Sequence, residues 1–301
     1  MALTENWELR TLFKASMILS LDELMRQDSK SAGDTAAARL LRPSGRHNPR
    51  LKELRQAFRR GELTPEGECA IEGVKLVEEA IRASQRLGGM FFSESARPLA
   101  EKLLLQVGAR VEILILPDSL FNSIVPSESP QGVAALIKVR AVSANHLLER
   151  SEVGPIIVAA GLQDPGNVGT ILRSAEAFGA AGAFFIEGTV SPYNSKVLRG
   201  SAGSIFRLPV VQIGSTELIP LLRHHGARLV ATSSHKGTPL PEMKWTLPLA
   251  VFIGNEGAGL SREILHQMDE TLVIPQSTQV ESLNAGVAAS IVLYECARQR
   301  K

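Results

Sequence analysis

The sequence predicts an α/β protein in which a C-terminal domain built on a parallel sheet follows a smaller α/β domain. Three observations carry this. Short apolar runs alternate with helical patterns along most of the chain. In the second half these runs are apolar throughout, which suits parallel strands covered by helices on both faces. The 301 residues also suit two domains at roughly 150 residues each.

In chain order, residues 1–28 have an amphipathic pattern that predicts a helix. Residues 29–47, "SKSAGDTAAARLLRPSGRH", are small, polar and broken by Gly and Pro, and read as a linker. Asn48-Pro49 supplies an N-cap and a first-turn proline, opening a helix that runs to about Arg60. Then "ECAIEG" precedes "VKLVEEAIRASQR", and "GGMFF" precedes "RPLAEKLLLQVG". "VEILILP" and "GVAALIKV" follow, so residues 48–140 form one α/β unit. Residues 141–153, "AVSANHLLERSEV", are expected to be a linker and hinge. In 154–301 the predicted strands are "PIIVAA", "AGAFFI", "RLVATS", "LAVFIG" and "ETLVIP".

Net charge is +2, but residues 39–60 hold eight Lys/Arg and one acid, a local +7 that leaves −5 for the rest. The cluster includes Arg46, Arg50, Lys52, Arg55, Arg59 and Arg60. Such a patch fits a nucleic-acid backbone and equally a solvated helix face. Two cysteines without metal-like spacing predict neither a disulfide framework nor a metal site. No apolar run reaches the roughly 18 residues of a membrane span. The first residues carry acids and no clear cleavage site, so no secretory leader is expected and the reducing cytoplasm is the expected compartment.

Three predicted strands end in unusual loops, and ligands of open parallel sheets bind beyond the carboxyl ends of strands. The first loop is "GLQDPGNVGTILRSAEAFG", 161–179. Its glycine spacing is wrong for a dinucleotide fingerprint, and Asn167 stands where a P-loop needs lysine. A plain turn with Asn167 as helix N-cap remains open. Arg173 then sits early in a helix, where a cation opposes the helix dipole unless it faces an anion. The second loop, "VFIGNEGAGLS", holds Gly254, Gly257 and Gly259 around Glu256, with Ser261 as the expected cap of the next helix. In the third, "VIPQSTQVESLNAGVAASIVLYE", Ser282 is the expected cap of a final helix lined with small residues, which leaves Asn284 to be explained.

Together "NVGTILRSAEAFG", "IGNEGAGLS" and "IPQSTQVESLNAGVAASIVLYE" closely resemble the three motifs of the SpoU/TrmH-type RNA methyltransferases of the SPOUT superfamily, over residues 153–299. "RGSAGSIFRLPV" is similar to the family's sequence between the first two motifs. "AIEGVKLVEEAI" and "SPQGVAALIKV" resemble the RNA-binding substrate domain often fused in front. The resemblance implies methyl transfer from S-adenosylmethionine to a ribose 2′-hydroxyl in RNA, a deep trefoil knot in residues 154–301, and a homodimer with the site at its interface.

By match to the motifs, Arg173, Asn167, Glu256, Ser282 and Asn284 are the expected catalytic residues. Gly254, Ile274 and Leu283, with Thr232 and Pro275, are expected to hold the donor. Asn167 would hold the arginine or the ribose, and Glu256 would orient Arg173 or accept a proton. A guanidinium keeps its proton, so Arg173 is expected to grip a phosphate and stabilise the developing oxyanion. No metal is implied. Large-subunit rRNA is the expected substrate, because a front domain is commoner among ribosomal enzymes. The alternatives are tRNA and a non-catalytic RNA-binding relative; a nucleotide-dependent α/β enzyme is disfavoured by the glycine spacing.

Overall fold

The computed structural model describes residues 40–41, 48–108, 111–277 and 282–300. The helix expected over 1–28 and the arm residues Arg39, Arg42 and Arg46 lie outside the described residues.

The first sheet has five strands: β1 (Leu40–Leu41), β2 (Glu68–Glu72), β3 (Leu87–Ser93), β4 (Glu112–Leu116) and β5 (Val133–Lys138), in the order β1-β4-β3-β5-β2. It is mixed: β1, β4 and β3 run parallel, while β5 is antiparallel to both β3 and β2. The expected linker over 29–47 is therefore corrected in part, because Leu40–Leu41 pairs with Ile113 and Leu114 and extends the sheet by an edge strand. Helices α1 (Pro49–Arg60) and α4 (Asp118–Asn122) cover one face through Leu51, Leu54, Phe58 and Phe121. Helices α2 (Val74–Arg82) and α3 (Arg97–Leu104) cover the other. Helix α1 opens as expected, with the Asn48 side chain accepting from Arg50 N at 2.9 Å and Pro49 in its first turn.

The second sheet has seven parallel strands: β6 (Ile156–Ala159), β7 (Gly182–Phe185), β8 (Val210–Gln212), β9 (Arg228–Ser233), β10 (Thr238–Pro239), β11 (Leu249–Ile253) and β12 (Glu270–Val273), in the order β10-β12-β9-β11-β6-β7-β8. In the central strands β6, β7 and β11 both faces are buried, which explains why they are apolar at every position. Along β11, Leu249, Val251 and Ile253 face one core, and Ala250 and Phe252 face the other. The first core is closed by α6 (Pro165–Ala177) and α10 (Ala285–Gln299), the second by α5 (Ala144–Leu148) and α8 (Ser215–His224).

The expected hinge over 141–153 is corrected too. Ser143 caps α5, and Leu147 and Leu148 are fully buried in the second core. The two sheets are also joined away from this connection. Helix α7 (Ser195–Gly200) places Leu198 in the core of the front domain and Val197 in that of the second. Arg207 binds Glu79 of α2 at 3.0 Å and Glu176 of α6, and so ties the two units together.

Candidate active site

The first, second and third loops leave the carboxyl ends of β6, β11 and β12, so parallel strand order brings them to one end of the sheet. They converge beside a cavity of about 610 Å³.

The second loop forms its wall. A Cβ on Gly254 would stand 2.6 Å from the Gly259 carbonyl carbon and 2.7 Å from Leu260 N, so only glycine fits. Asn255 and Gly259 exchange backbone hydrogen bonds at 2.9 and 3.1 Å, and Gly259 takes φ +68° to close the turn. The Asn255 side chain pins this turn to the first loop. Its Nδ2 donates to Gly161 O at 3.0 Å, while its Oδ1 accepts from Gly257 N and Ala258 N. Sequence reading passed over Asn255 as a ligand-site residue; a lone amide leading a glycine-rich turn was the available signal.

Of the expected donor residues, Thr232, Gly254, Ile274 and Leu283 line the cavity. Thr232 Oγ1 donates to Phe252 O at 3.0 Å, which joins β9 to β11 at the wall. Pro275 does not line it. Ile274 and Gln276 do, and alternation along extended chain turns Pro275 outward, where it is exposed.

Of the expected catalytic residues, Glu256 and Ser282 line the cavity, and Asn167 and Asn284 adjoin it through hydrogen bonds. Asn284 Nδ2 donates to Asn167 Oδ1 at 2.7 Å, and Asn167 Nδ2 donates to Glu256 Oε1. Asn167 is 7% exposed, so its amide depends on these partners. A carboxylate only accepts, which fixes which way each amide must face.

Two capping assignments are corrected. Asp164, not Asn167, caps α6, accepting from Gly166 N at 2.7 Å with Pro165 as the first helical residue. Asn284, not Ser282, caps α10, accepting from Val287 N at 3.1 Å. In each case the side chain directly before the first helical residue, the Asp164 carboxylate or the Asn284 amide, takes the first free N–H groups. The small residues of α10 are explained by packing on α6: a Cβ on Gly286 would approach Thr170 to 3.1 Å, and Ser290 and Ser174 share a 2.6 Å hydrogen bond.

Arg173 stands apart. It lies six residues beyond Asn167, about 240° round the helix and about 9 Å along it. It is exposed, and its guanidinium makes no hydrogen bond or ion pair among the described residues. Within one chain the hydrogen-bond partner of Glu256 is Asn167 and not Arg173.

On α1, Lys52, Arg55, Arg59 and Arg60 are exposed along the outer face. Arg50 is not available in the same way. Its guanidinium binds Glu53 at 2.6 Å and Glu68 at 3.0 Å and is only 20% exposed, so its charge serves the domain's own carboxylates. Among the described residues no three His, Cys, Asp or Glu side chains are grouped to hold a metal, and no helix is long and apolar enough to cross a membrane.

Comparison with known proteins follows the same division. Residues 154–294 match the SpoU rRNA Methylase family, and residues 48–135 match the MRM3-like substrate binding domain. The 23S rRNA (guanosine(2553)-2′-O)-methyltransferase RlmP of Bacillus subtilis is 30% identical over 249 residues, covering 82% of this chain and 95% of its own. The 23S rRNA (uridine(2479)-2′-O)-methyltransferase of Streptomyces viridochromogenes is 30% identical over 80% of this chain and 86% of its own. The solved SpoU methyltransferase AviRb from that organism, in complex with the cofactor AdoMet, superposes with TM-score 0.71 at 27% identity, covering 84% of this chain and 99% of its own. An rRNA methyltransferase from Sinorhizobium meliloti superposes with TM-score 0.74 at 25% identity, over 87% and 98%. With residues 154–294 matching the family model and relatives matched over nearly their whole length, the chain belongs to the SpoU rRNA methylase family.

Proposed function

We propose that this chain transfers a methyl group from S-adenosylmethionine to a ribose 2′-hydroxyl of large-subunit ribosomal RNA. The observation that carries the reading is the Asn284–Asn167–Glu256 chain, which ties the first loop to a cavity lined by the second and third. The relatives that act on 23S rRNA ribose, and the AdoMet-bound neighbour, support the substrate and the donor.

The residues fit the donor. Gly254 offers bare backbone to a flat adenine, and Ile274 and Leu283 supply apolar walls. When bound, S-adenosylmethionine supplies an electrophilic methyl on a sulfonium. Thr232 holds the wall in register, and Pro275 stiffens its outer side. Ser282, exposed at the cavity, hydrogen-bonds the ribose or the donor.

Arg173 grips an RNA phosphate and stabilises the 2′-oxyanion as it develops. The hydroxyl proton passes to solvent, the oxygen bonds to the methyl carbon, and the carbon–sulfur bond breaks to release S-adenosylhomocysteine. Asn167, Asn284 and Glu256 hold ribose and loops in line for this displacement.

The chain works as a homodimer. Val287 (47% exposed), Ile291 and Tyr294 (53% exposed) form an apolar stripe on α10, beside the helix that bears Arg173. A second copy covers that stripe and receives the unpartnered Arg173 at its own cavity. Residues 282–300 then belong to a deep trefoil knot, as in the family. The exposed face of α1 (Lys52, Arg55, Arg59, Arg60), with Arg46, holds the RNA backbone in the cytoplasm, where ribosomes assemble.

The test is incubation of labelled S-adenosylmethionine with large-subunit rRNA, free and in subunits. Label is expected in ribose 2′-O positions, and Arg173→Ala abolishes it while S-adenosylhomocysteine still binds. No transfer to any rRNA or tRNA would reassign the chain as a non-catalytic RNA-binding relative.

A further inference from the structure

The front domain meets the methyltransferase domain through α7, and both ends of this short helix are fixed by close backbone contacts. At one end, Gly61 terminates α1 directly after Arg59 and Arg60, with φ +64°. A Cβ on Gly61 would stand 3.1 Å from Asn194 Cα, and Asn194 caps α7 by accepting from Lys196 N at 2.9 Å. At the other end, Gly200 meets α6: a Cβ on Gly169 would lie 2.7 Å from Gly200 Cα. Arg173 is one turn farther along α6 than Gly169. Six helical residues span about 9 Å, so α7 is a short bridge from the basic end of α1 to the helix that carries Arg173.

What α7 shows to solvent is cationic. Val197 and Leu198 are buried in the two different cores, which fixes the rotation of the helix. Lys196 and Arg199, three residues apart, are then exposed neighbours on its surface. The Lys196 ammonium makes no hydrogen bond or ion pair among the described residues. Arg199 is aimed from below: its Nη1 donates to Ser127 Oγ and lies 3.9 Å from Glu72 Oε2, while its side chain remains 38% exposed. Glu72 is 5% exposed and also accepts from Ser127 Oγ at 2.9 Å, so this carboxylate is a fixed anchor. Helix α7 itself contains no acid.

We propose that Lys196 and Arg199 carry the RNA backbone across the seam between the domains, from the basic face of α1 to the helix bearing Arg173. This rests on the RNA methyltransferase reading and adds to it a contact that neither the three motifs nor the charge cluster of residues 39–60 contains. One phosphate contact is expected from Lys196, and Arg199 supplies a second, held by Glu72 and Ser127.

The test is the salt dependence of RNA affinity, because each neutralised phosphate contributes about −0.7 to −0.9 to the slope of log K against log salt. Lys196→Ala is expected to reduce the slope by about one contact and to weaken binding about three- to tenfold at low salt. It is expected to raise KM for RNA while kcat at saturating RNA and S-adenosylhomocysteine affinity stay unchanged. Lys196→Arg restores both slope and KM. Lys196 is exposed and unpaired, so folding does not confound this variant. If Lys196→Ala keeps the wild-type slope and KM while Lys52→Ala changes both, the seam is off the RNA path and the inference fails with the methyltransferase reading intact. A fall in kcat without a change in KM or slope also overturns it. A wild-type chain that neither binds nor methylates RNA overturns the methyltransferase reading, and the inference with it.

Discussion

Asn284 Nδ2 donates to Asn167 Oδ1 at 2.7 Å across 117 residues of sequence. The contact joins the first turns of α10 and α6, since Asn284 also caps α10 and Asn167 lies in the opening turn of α6. The amides are ordered in one sense: Val287 N–H to Asn284, Asn284 to Asn167, Asn167 to the Glu256 carboxylate. A chain of aligned dipoles ending on a carboxylate strengthens each link.

Removing the central amide should therefore leave two partners unsatisfied. Asn167→Ala is expected to lower kcat by about 10²-fold or more, the scale of losing one positioned donor. S-adenosylhomocysteine affinity, measured by calorimetry, should change by only a few fold, because Asn167 is not a wall of the cavity. A loss of donor affinity matching the loss of rate would place Asn167 in the donor pocket instead.

Gly254→Ala should act in the opposite way. Its new Cβ would meet the Gly259 and Leu260 backbone well inside van der Waals contact, so the loop must shift. The expected cost is about 1–3 kcal/mol of overpacking, with donor affinity falling at least tenfold. Unchanged affinity and Tm would show that the loop does not hold the donor.

The proposed homodimer predicts recovery from two dead chains. Arg173→Ala and Gly254→Val are each expected to be inactive alone. Mixed after unfolding together, they should regain roughly a quarter of wild-type activity, because half the dimers carry one site free of both lesions. No recovery would mean that Arg173 serves its own chain. Tyr294→Asp, on the exposed stripe of α10, should give a monomer by light scattering.

Arg50 separates structure from RNA contact on one helix. Glu68 has an 8% exposed side chain and depends on Arg50. Arg50→Met is expected to destabilise the protein by about 1–3 kcal/mol in denaturant titration, through an unpaired buried carboxylate. Lys52→Ala should leave stability unchanged and weaken RNA binding.

Acid should loosen the tie between the domains. Burial opposes ionisation of Glu176, but hydrogen bonds from Arg207 and Ser204 and the charge of Arg207 outweigh it and hold the carboxyl below its ordinary value. A lowered folded pKa gives stability that is fully present above the unfolded value of about 4.3 and is lost as pH falls through the lower folded value. Arg207→Met should flatten that part of the stability–pH curve below pH about 4. An unchanged acid limb would show that the pair contributes nothing in solution, as many exposed pairs do.

The residue pattern alone determined the α/β class, the strands buried on both faces, the α1 start at Asn48-Pro49 and the three loops that meet at the cavity. These follow from local periodicity and from motif wording, which a single chain carries in full. Edge strands β1, β8 and β10 escaped because two or three residues make no period. The caps Asp164 and Asn284 were misassigned because neighbouring polar residues compete for the same free N–H groups, and only geometry chooses between them. Tertiary structure alone decided that α5 is packed rather than a hinge, that Arg50 is held by carboxylates, that Pro275 faces away, and that Asn255 ties two loops. Each depends on partners brought close by folding from distant parts of the chain, and sequence spacing holds no record of which distant groups become neighbours.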